Sequence, residues 1–194
     1  MKPTVSADVP DWTREAKAML EWSPSRSLLA TLRRHQSFSG KKGMYAALCR
    51  NWLALEHRFW QAITGADIPL GTRIEGGLLL PHPNGIVIHP EATIGPNCLI
   101  FQQVTLGTTE HGGVPTVGGH VDIGAGAKIL GNVRLQNHSR IGANAVVMID
   151  VPEGFTAVGV PAALLRKRER RPSVVTASGG LSSARPRGAP PRRR

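Results

Sequence analysis

Aliphatic residues recur every six positions through the middle of this chain: Ile68, Ile74 and Leu80, then Ile88, Ile94, Ile100 and Leu106, then Val117, Ile123, Ile129, Leu135, Ile141 and Val147. A period of six fits neither an amphipathic helix, which needs spacings of three and four, nor one long strand, which alternates at two. It is the mark of hexapeptide repeats. Short strands wrap a prism, and each coil of three hexads stacks on the last at ~4.8 Å to build a parallel β-helix. A second inward position is expected four residues after each aliphatic, filled by a small side chain because the prism is narrow. Val121, Ala127, Val133, Ser139, Ala145 and Val151 occupy it in the later coils, and Thr72, Ala92, Cys98 and Val104 in the earlier ones. Leu78 and Asn84 fit that slot less well. Agreement of two independent positions over so many rungs carries the fold assignment.

The period breaks twice. A two-residue slip lies within Leu80-Pro81-His82-Pro83-Asn84-Gly85-Ile86-Val87, and a five-residue excess lies between Leu106 and Thr116. A repeat that packs itself has no structural need for such breaks, so they are where chemistry is expected.

The 194 residues suit one domain with appendages. Three regions are expected: an α-helical cap or assembly region over 1–66, the β-helix over 67–165, and a basic, disordered tail over 166–194. The net charge of +11 belongs mostly to that tail, where ten Arg or Lys face one acid, whereas residues 1–165 hold fourteen against twelve. The tail has too little apolar content to fold. Nothing aromatic interleaves its arginines, so nucleic-acid stacking is not expected. All four tryptophans, Trp12, Trp22, Trp52 and Trp60, precede the repeat. Helices are expected over Asp11 to Glu21 and over Ser25 to His35, the latter capped by Ser25, and in a third segment Tyr45, Leu48, Cys49, Trp52, Leu55, Phe59 and Ile63 recur at helical spacing. This region is expected to cap the open end of the prism or contact another subunit. Its tryptophans and Arg33, Arg34, Lys41 and Lys42 also suit peripheral membrane contact. Two cysteines, Cys49 and Cys98, give no disulfide framework, and no apolar run resembles a signal peptide or a membrane span. A cytoplasmic location is expected.

The segments Leu80-Pro81-His82-Pro83-Asn84-Gly85-Ile86-Val87-Ile88, Gln103-Val104-Thr105-Leu106-Gly107-Thr108, Ile123-Gly124-Ala125-Gly126-Ala127-Lys128-Ile129-Leu130-Gly131-Asn132 and Gly159-Val160-Pro161-Ala162 closely resemble the serine acetyltransferases, within the hexapeptide-repeat acyltransferases. The resemblance covers roughly residues 66–165. It implies a left-handed β-helix that forms a homotrimer, with acetyl-coenzyme A (acetyl-CoA) as co-substrate in a groove between subunits and no metal. It implies His82 as the catalytic histidine and Asp67, fifteen residues earlier, as its carboxylate partner. It points to Gly107, Thr108, Ala125 and Ala143 for the cofactor. Ala125 and Ala143 are also eighteen residues apart, so they stack on one face whatever the family. Lys128 and Arg140 are candidates for the cofactor phosphates, although Asp122, one coil below Arg140, could simply pair with it.

The implied reaction is O-acetyl transfer to a hydroxyl, with L-serine as acceptor and cysteine biosynthesis as the setting. The acceptor set departs from the family pattern. Pro81 stands where the family has an aspartate that helps bind the serine amino group, Gly113 and Val114 stand in place of an arginine-histidine pair before Pro115, and the second-break loop is three residues shorter. His111 is the candidate to substitute in that loop. O-acetylation of a sugar hydroxyl in exopolysaccharide synthesis is the alternative acceptor reading. From other classes, a non-catalytic trimeric scaffold and a zinc hydratase remain. The hydratase is disfavoured because His82, His89, His111 and His120 lack the spacing of a three-histidine site, while His120 and His138 would stack and could bind a metal.

Overall fold

The computed structural model describes residues 5–18 and 21–166. The expectation of a disordered basic tail falls almost entirely on residues outside these.

Among the described residues, thirteen short strands follow two α-helices. The strands are β1 (Arg73–Ile74), β2 (Val87–Ile88), β3 (Thr93–Ile94), β4 (Leu99–Ile100), β5 (Thr105–Gly107), β6 (Thr116–Val117), β7 (Asp122–Ile123), β8 (Lys128–Leu130), β9 (Arg134–Leu135), β10 (Arg140–Ile141), β11 (Val146–Val147), β12 (Phe155–Val158) and β13 (Ala163–Arg166). They stack into three faces in the orders β1-β3-β6-β9, β4-β7-β10-β12-β13 and β2-β5-β8-β11. Every pairing is parallel except the closing β12–β13 pair, which is antiparallel and ends the stack. This is the expected parallel β-helix.

The interior follows the two-position pattern. All thirteen period-setting aliphatics from Ile68 to Val147 are buried, as are Thr72, Ala92, Cys98, Val104, Val121, Ala127, Val133, Ser139, Ala145 and Val151. Leu78 is fully buried as well, in the one cluster that joins the first coil to the leucines of the helix closing the prism from below. Asn84 is exposed and Ile86 takes the inward slot, so the slip advances the register by two before the strand resumes.

Pairing locates both breaks. Leu79 pairs with Leu99, a step of twenty, while Val87 pairs with Thr105, a step of eighteen, so the two extra residues bulge out between them. Thr105 pairs with Lys128, but Thr116 pairs with Arg134, which confines the five-residue excess to the segment after Gly107.

The amino-terminal region differs in part from expectation. Among the described residues within Asp11 to Glu21, helical structure is limited to a single 3-10 turn at Trp12–Arg14. The backbone there is drawn across the prism instead. Buried Asn97 accepts from Asp11 N at 2.7 Å and donates to Ser6 O and Val9 O at 2.9 and 2.8 Å. Gly119 must stay bare, because a Cβ there would sit 1.8 Å from Ala7 O. Asn97→Ala removes all three side-chain bonds, and it should cost about 1–3 kcal/mol and speed proteolysis within residues 5–15. Urea titration and limited digestion read the two effects.

Helix α1 (Pro24–Phe38) starts one residue before the expected Ser25, with Ser23 as N-cap and Pro24 in the first turn, where its fixed φ costs nothing. Leu28, Leu29 and Leu32 join one buried cluster with Ile68 and Ile74, so α1 closes the core. Arg33 pins it down, pairing with Glu15 at 2.8 Å and donating to Ile74 O and Glu75 O. Helix α2 (Met44–Thr64) packs on α1 and buries Ala46, Leu53, His57 and Thr64, with His57 Nε2 2.7 Å from Ile68 O of the prism. Its apolar row of Tyr45, Leu48, Trp52, Leu55, Phe59 and Ile63 faces outward. Among the described residues no helix is long and apolar enough to cross a membrane.

Candidate active site

The first break shapes the site. In a regular coil the chain turns the corner between the β4 face and the β2 face with no residues to spare. Two extra residues, with a proline on each side of His82 to hold the backbone extended, push the imidazole out of the prism wall. His82 is exposed there. The coils above repeat the same corner without the bulge. Gln103 N donates to Asn84 O at 2.9 Å, Gly126 N to Gln102 O at 2.8 Å and Asn144 N to Ala125 O at 2.8 Å. His82 therefore stands at the base of the corner column that carries Ala125 and Ala143. Small side chains there let a long, thin ligand approach the backbone.

A cavity of about 460 Å³ opens at His82. The prism supplies Asn84, α2 supplies Thr64, and the start of α1 supplies Ser23, Ser25 and the preceding Trp22. Sequence reasoning missed these last three. Their place depends on how α1 docks on the first coil, and nothing in a repeat pattern reports that.

Asp67 lies lower. It pairs with Val87 of the next coil, while Gly85 N donates to Gly65 O, so the residues beneath the bulge are those at the end of α2. The Asp67 carboxylate accepts a long 3.4 Å bond from Gln61 Nε2, and among the described residues no hydrogen bond joins it to His82. Gln61 too was not anticipated.

The candidate cofactor residues fall on both edges of the β5 face. Gly107 ends β5 opposite Leu130, and exposed Thr108 follows at the second break, across the face from Ala125 and Ala143. Lys128 lies on β8 between the two edges, where its Nζ donates to Gln103 O at 2.7 Å and Thr105 Oγ1 at 3.0 Å. Arg140 sits on the neighbouring face and pairs with Asp122 at 3.4 Å, as the spacing of eighteen allowed. His111 is at the exposed tip of the second-break loop beside Glu110, on a different corner of the prism from His82.

Two other groups bear on the chemistry. Burial pushes the Cys98 thiol up to about 12, and its Sγ contacts Gly118 O at 3.1 Å, so it is no nucleophile at neutral pH. His120 and His138 do stack, with Nδ1 atoms 2.8 Å apart. Burial lowers the affinity of His120 for a proton, so that ring tends to stay neutral. Among the described residues no group of three His, Cys, Asp or Glu is placed to hold a metal ion.

No protein-family model matches the chain. Among curated proteins it is 45% identical over 102 residues to a serine acetyltransferase of Synechococcus elongatus, covering 51% of this chain and 42% of that one. It is 35% identical over 170 residues to a serine acetyltransferase of Staphylococcus epidermidis, covering 81% of this chain and 78% of that one. Its fold is similar to that of the Brucella abortus serine acetyltransferase in complex with coenzyme A, with a TM-score of 0.64 and 31% identity over 75% of this chain and 57% of that one. The left-handed β-helix of such structures is the architecture found here. The chain thus spans about half the length of some relatives and over three quarters of others.

Proposed function

The chain belongs to the serine acetyltransferase family, and from that membership we propose that it is an enzyme that moves the acetyl group of acetyl-CoA onto the hydroxyl of L-serine. The observation that carries the reading is the two-residue bulge, which projects His82 from the same corner column as Ala125 and Ala143.

His82 is the general base. It takes the hydroxyl proton as the acceptor oxygen attacks the thioester carbonyl, and the carbonyl electrons move onto oxygen. The tetrahedral intermediate collapses, the carbon–sulfur bond breaks, and His82 returns the proton to the departing thiolate. One ester forms, one thioester is lost, and the base is regenerated. Asp67 serves as the carboxylate that orients the imidazole, a role that requires it to exchange its long bond from Gln61 for one to His82. Gly107, Thr108, Ala125 and Ala143 receive acetyl-CoA. Lys128 and Arg140 serve its phosphates, each giving up a present partner to do so. His111 contributes to acceptor binding.

Because Gly107 and Thr108 occupy a different edge from His82, we assign a homotrimer in which one copy's second-break loop approaches its neighbour's His82. The expected division into 1–66, 67–165 and 166–194 suits a cap, a catalytic prism and a basic tail, and the site is that of a cytoplasmic biosynthetic enzyme. The outward apolar row of α2, close to Lys41 and Lys42, supports peripheral membrane contact as a further property of the cap.

The reading is tested by following thiol release from acetyl-CoA on addition of L-serine. The expected result is release matched by O-acetylserine. Release no faster than without acceptor would remove serine as the substrate.

A further inference from the structure

L-serine carries an ammonium and a carboxylate, and each must meet an opposite charge or keep its water, because an ion stripped of water and left unpaired is strongly unfavourable. One chain does not supply both partners. Among the described residues that line the cavity at His82, His82 itself has the only ionisable side chain, and none offers a carboxylate to the ammonium. The missing anion has to come from the neighbouring copy.

The second break carries a group suited to that task. Gly112 N donates to Thr109 O at 2.9 Å and Thr109 Oγ1 donates to Gly112 O at 3.2 Å, so the loop closes in a tight turn with Glu110 and His111 as its two central residues. The turn is seated on its own prism. Gly113 lies so close to Asn132 that a Cβ would come within 2.7 Å of it, and Gly131 N donates to Gly107 O at 3.0 Å. The braced loop holds Glu110 and His111 in solvent, 85% and 88% exposed, with His111 Nε2 3.5 Å from Glu110 Oε1. Among the described residues no other ion pair engages either side chain. A contact so exposed adds little to stability, so the fold itself does not call for a carboxylate at this tip.

We propose that Glu110 is a specificity-determining residue that acts in the neighbour's site, its carboxylate receiving the ammonium of L-serine while His111 faces the serine carboxylate. The proposal rests on the acyl-transfer reading and on the homotrimer in which one copy's second-break loop approaches the next copy's His82. Two adjacent side chains on one turn, an acceptor beside a donor, match two substituents of a single α-carbon. The third substituent, the hydroxymethyl group, is left to reach His82.

The test uses the full chain with acetyl-CoA and two acceptors, L-serine and 3-hydroxypropionate, which keeps the carboxylate and hydroxyl of serine but lacks the ammonium. Thiol release is followed for the parent and for Glu110→Gln. The substitution should raise the KM for L-serine about tenfold or more, the loss expected when a charged group is left without its partner, and should lower the preference for serine over 3-hydroxypropionate by a similar factor. The KM for acetyl-CoA should stay within about threefold, and the thermal transition should not move, because the side chain is exposed. Co-expression of His82→Ala and Glu110→Gln chains, purified as mixed trimers, tests which copy supplies the group. Such trimers contain sites that join an intact His82 of one copy to an intact Glu110 of the next, so turnover with the parent's KM for serine should reappear. With the parent turning serine over, an unchanged serine KM in Glu110→Gln would overturn the proposal alone, as would mixed trimers without low-KM turnover or failure of the two chains to assemble together. No thiol release by the parent with L-serine would sink the acyl-transfer reading and this proposal with it.

Discussion

Replacing His82 with alanine should lower kcat by roughly 10²–10⁴, the range lost when a positioned general base is removed. The expected change is in kcat, with the KM for acetyl-CoA little altered, because the candidate cofactor residues lie in coils above the bulge and along the β5 face. The fold should survive. The imidazole is exposed, and the backbone of the bulge is held by Pro81, Pro83 and the Gly85 N to Gly65 O bond rather than by the side chain. Circular dichroism separates a dead site from an unfolded one. A folded His82→Ala enzyme working within about threefold of the parent would remove His82 from the mechanism.

Truncating Ile123 to alanine should cost about 2–5 kcal/mol, the range for deleting a buried large aliphatic. Ile123 is fully buried on β7 and stacks between Ile100 below and Ile141 above. The wall around it has little room to relax, since Phe101 N bonds to Ile123 O at 3.1 Å and Gly124 N to Ile141 O at 2.8 Å. Each coil touches mainly its two neighbours, so a cavity in the middle weakens two interfaces at once. Urea unfolding reads the change. The matched control is Val87→Ala on an outward position, expected within ~0.5 kcal/mol. A loss below about 1 kcal/mol for Ile123→Ala would mean that the prism interior is not tightly packed.

Most of the prism was legible because its geometry is local. A strand alternates sides every residue and turns a corner every six, so the inward pair of each hexad is set by chain spacing alone. Thus Ala127, Ser139 and Cys98 were placed inside without knowledge of any contact. The exception, Asn84 against Ile86, arises where the slip makes spacing ambiguous by two residues. Helices α1 and α2 were legible as helices but not in orientation, whereas the segment from Asp11, expected to be a helix, forms a 3-10 turn at Trp12–Arg14. The row from Tyr45 to Ile63 has the spacing of a core face, yet α2 buries Ala46, Leu53, His57 and Thr64 instead, and α1 provides the leucines that close the prism.

The site divides along the same line. Chain spacing put Ala125 and Ala143 on one face and Arg140 over Asp122, because stacked coils keep a constant register. Only the tertiary structure decided that Gln61 holds Asp67, that Gly107 and Thr108 stand across a face from the alanines, and that Trp22 and Ser23 wall the space at His82. Those relations join parts of the chain with no common register. They are set by how a helical cap seats its leucines on the first coil, a contact between surfaces that no spacing along the chain encodes.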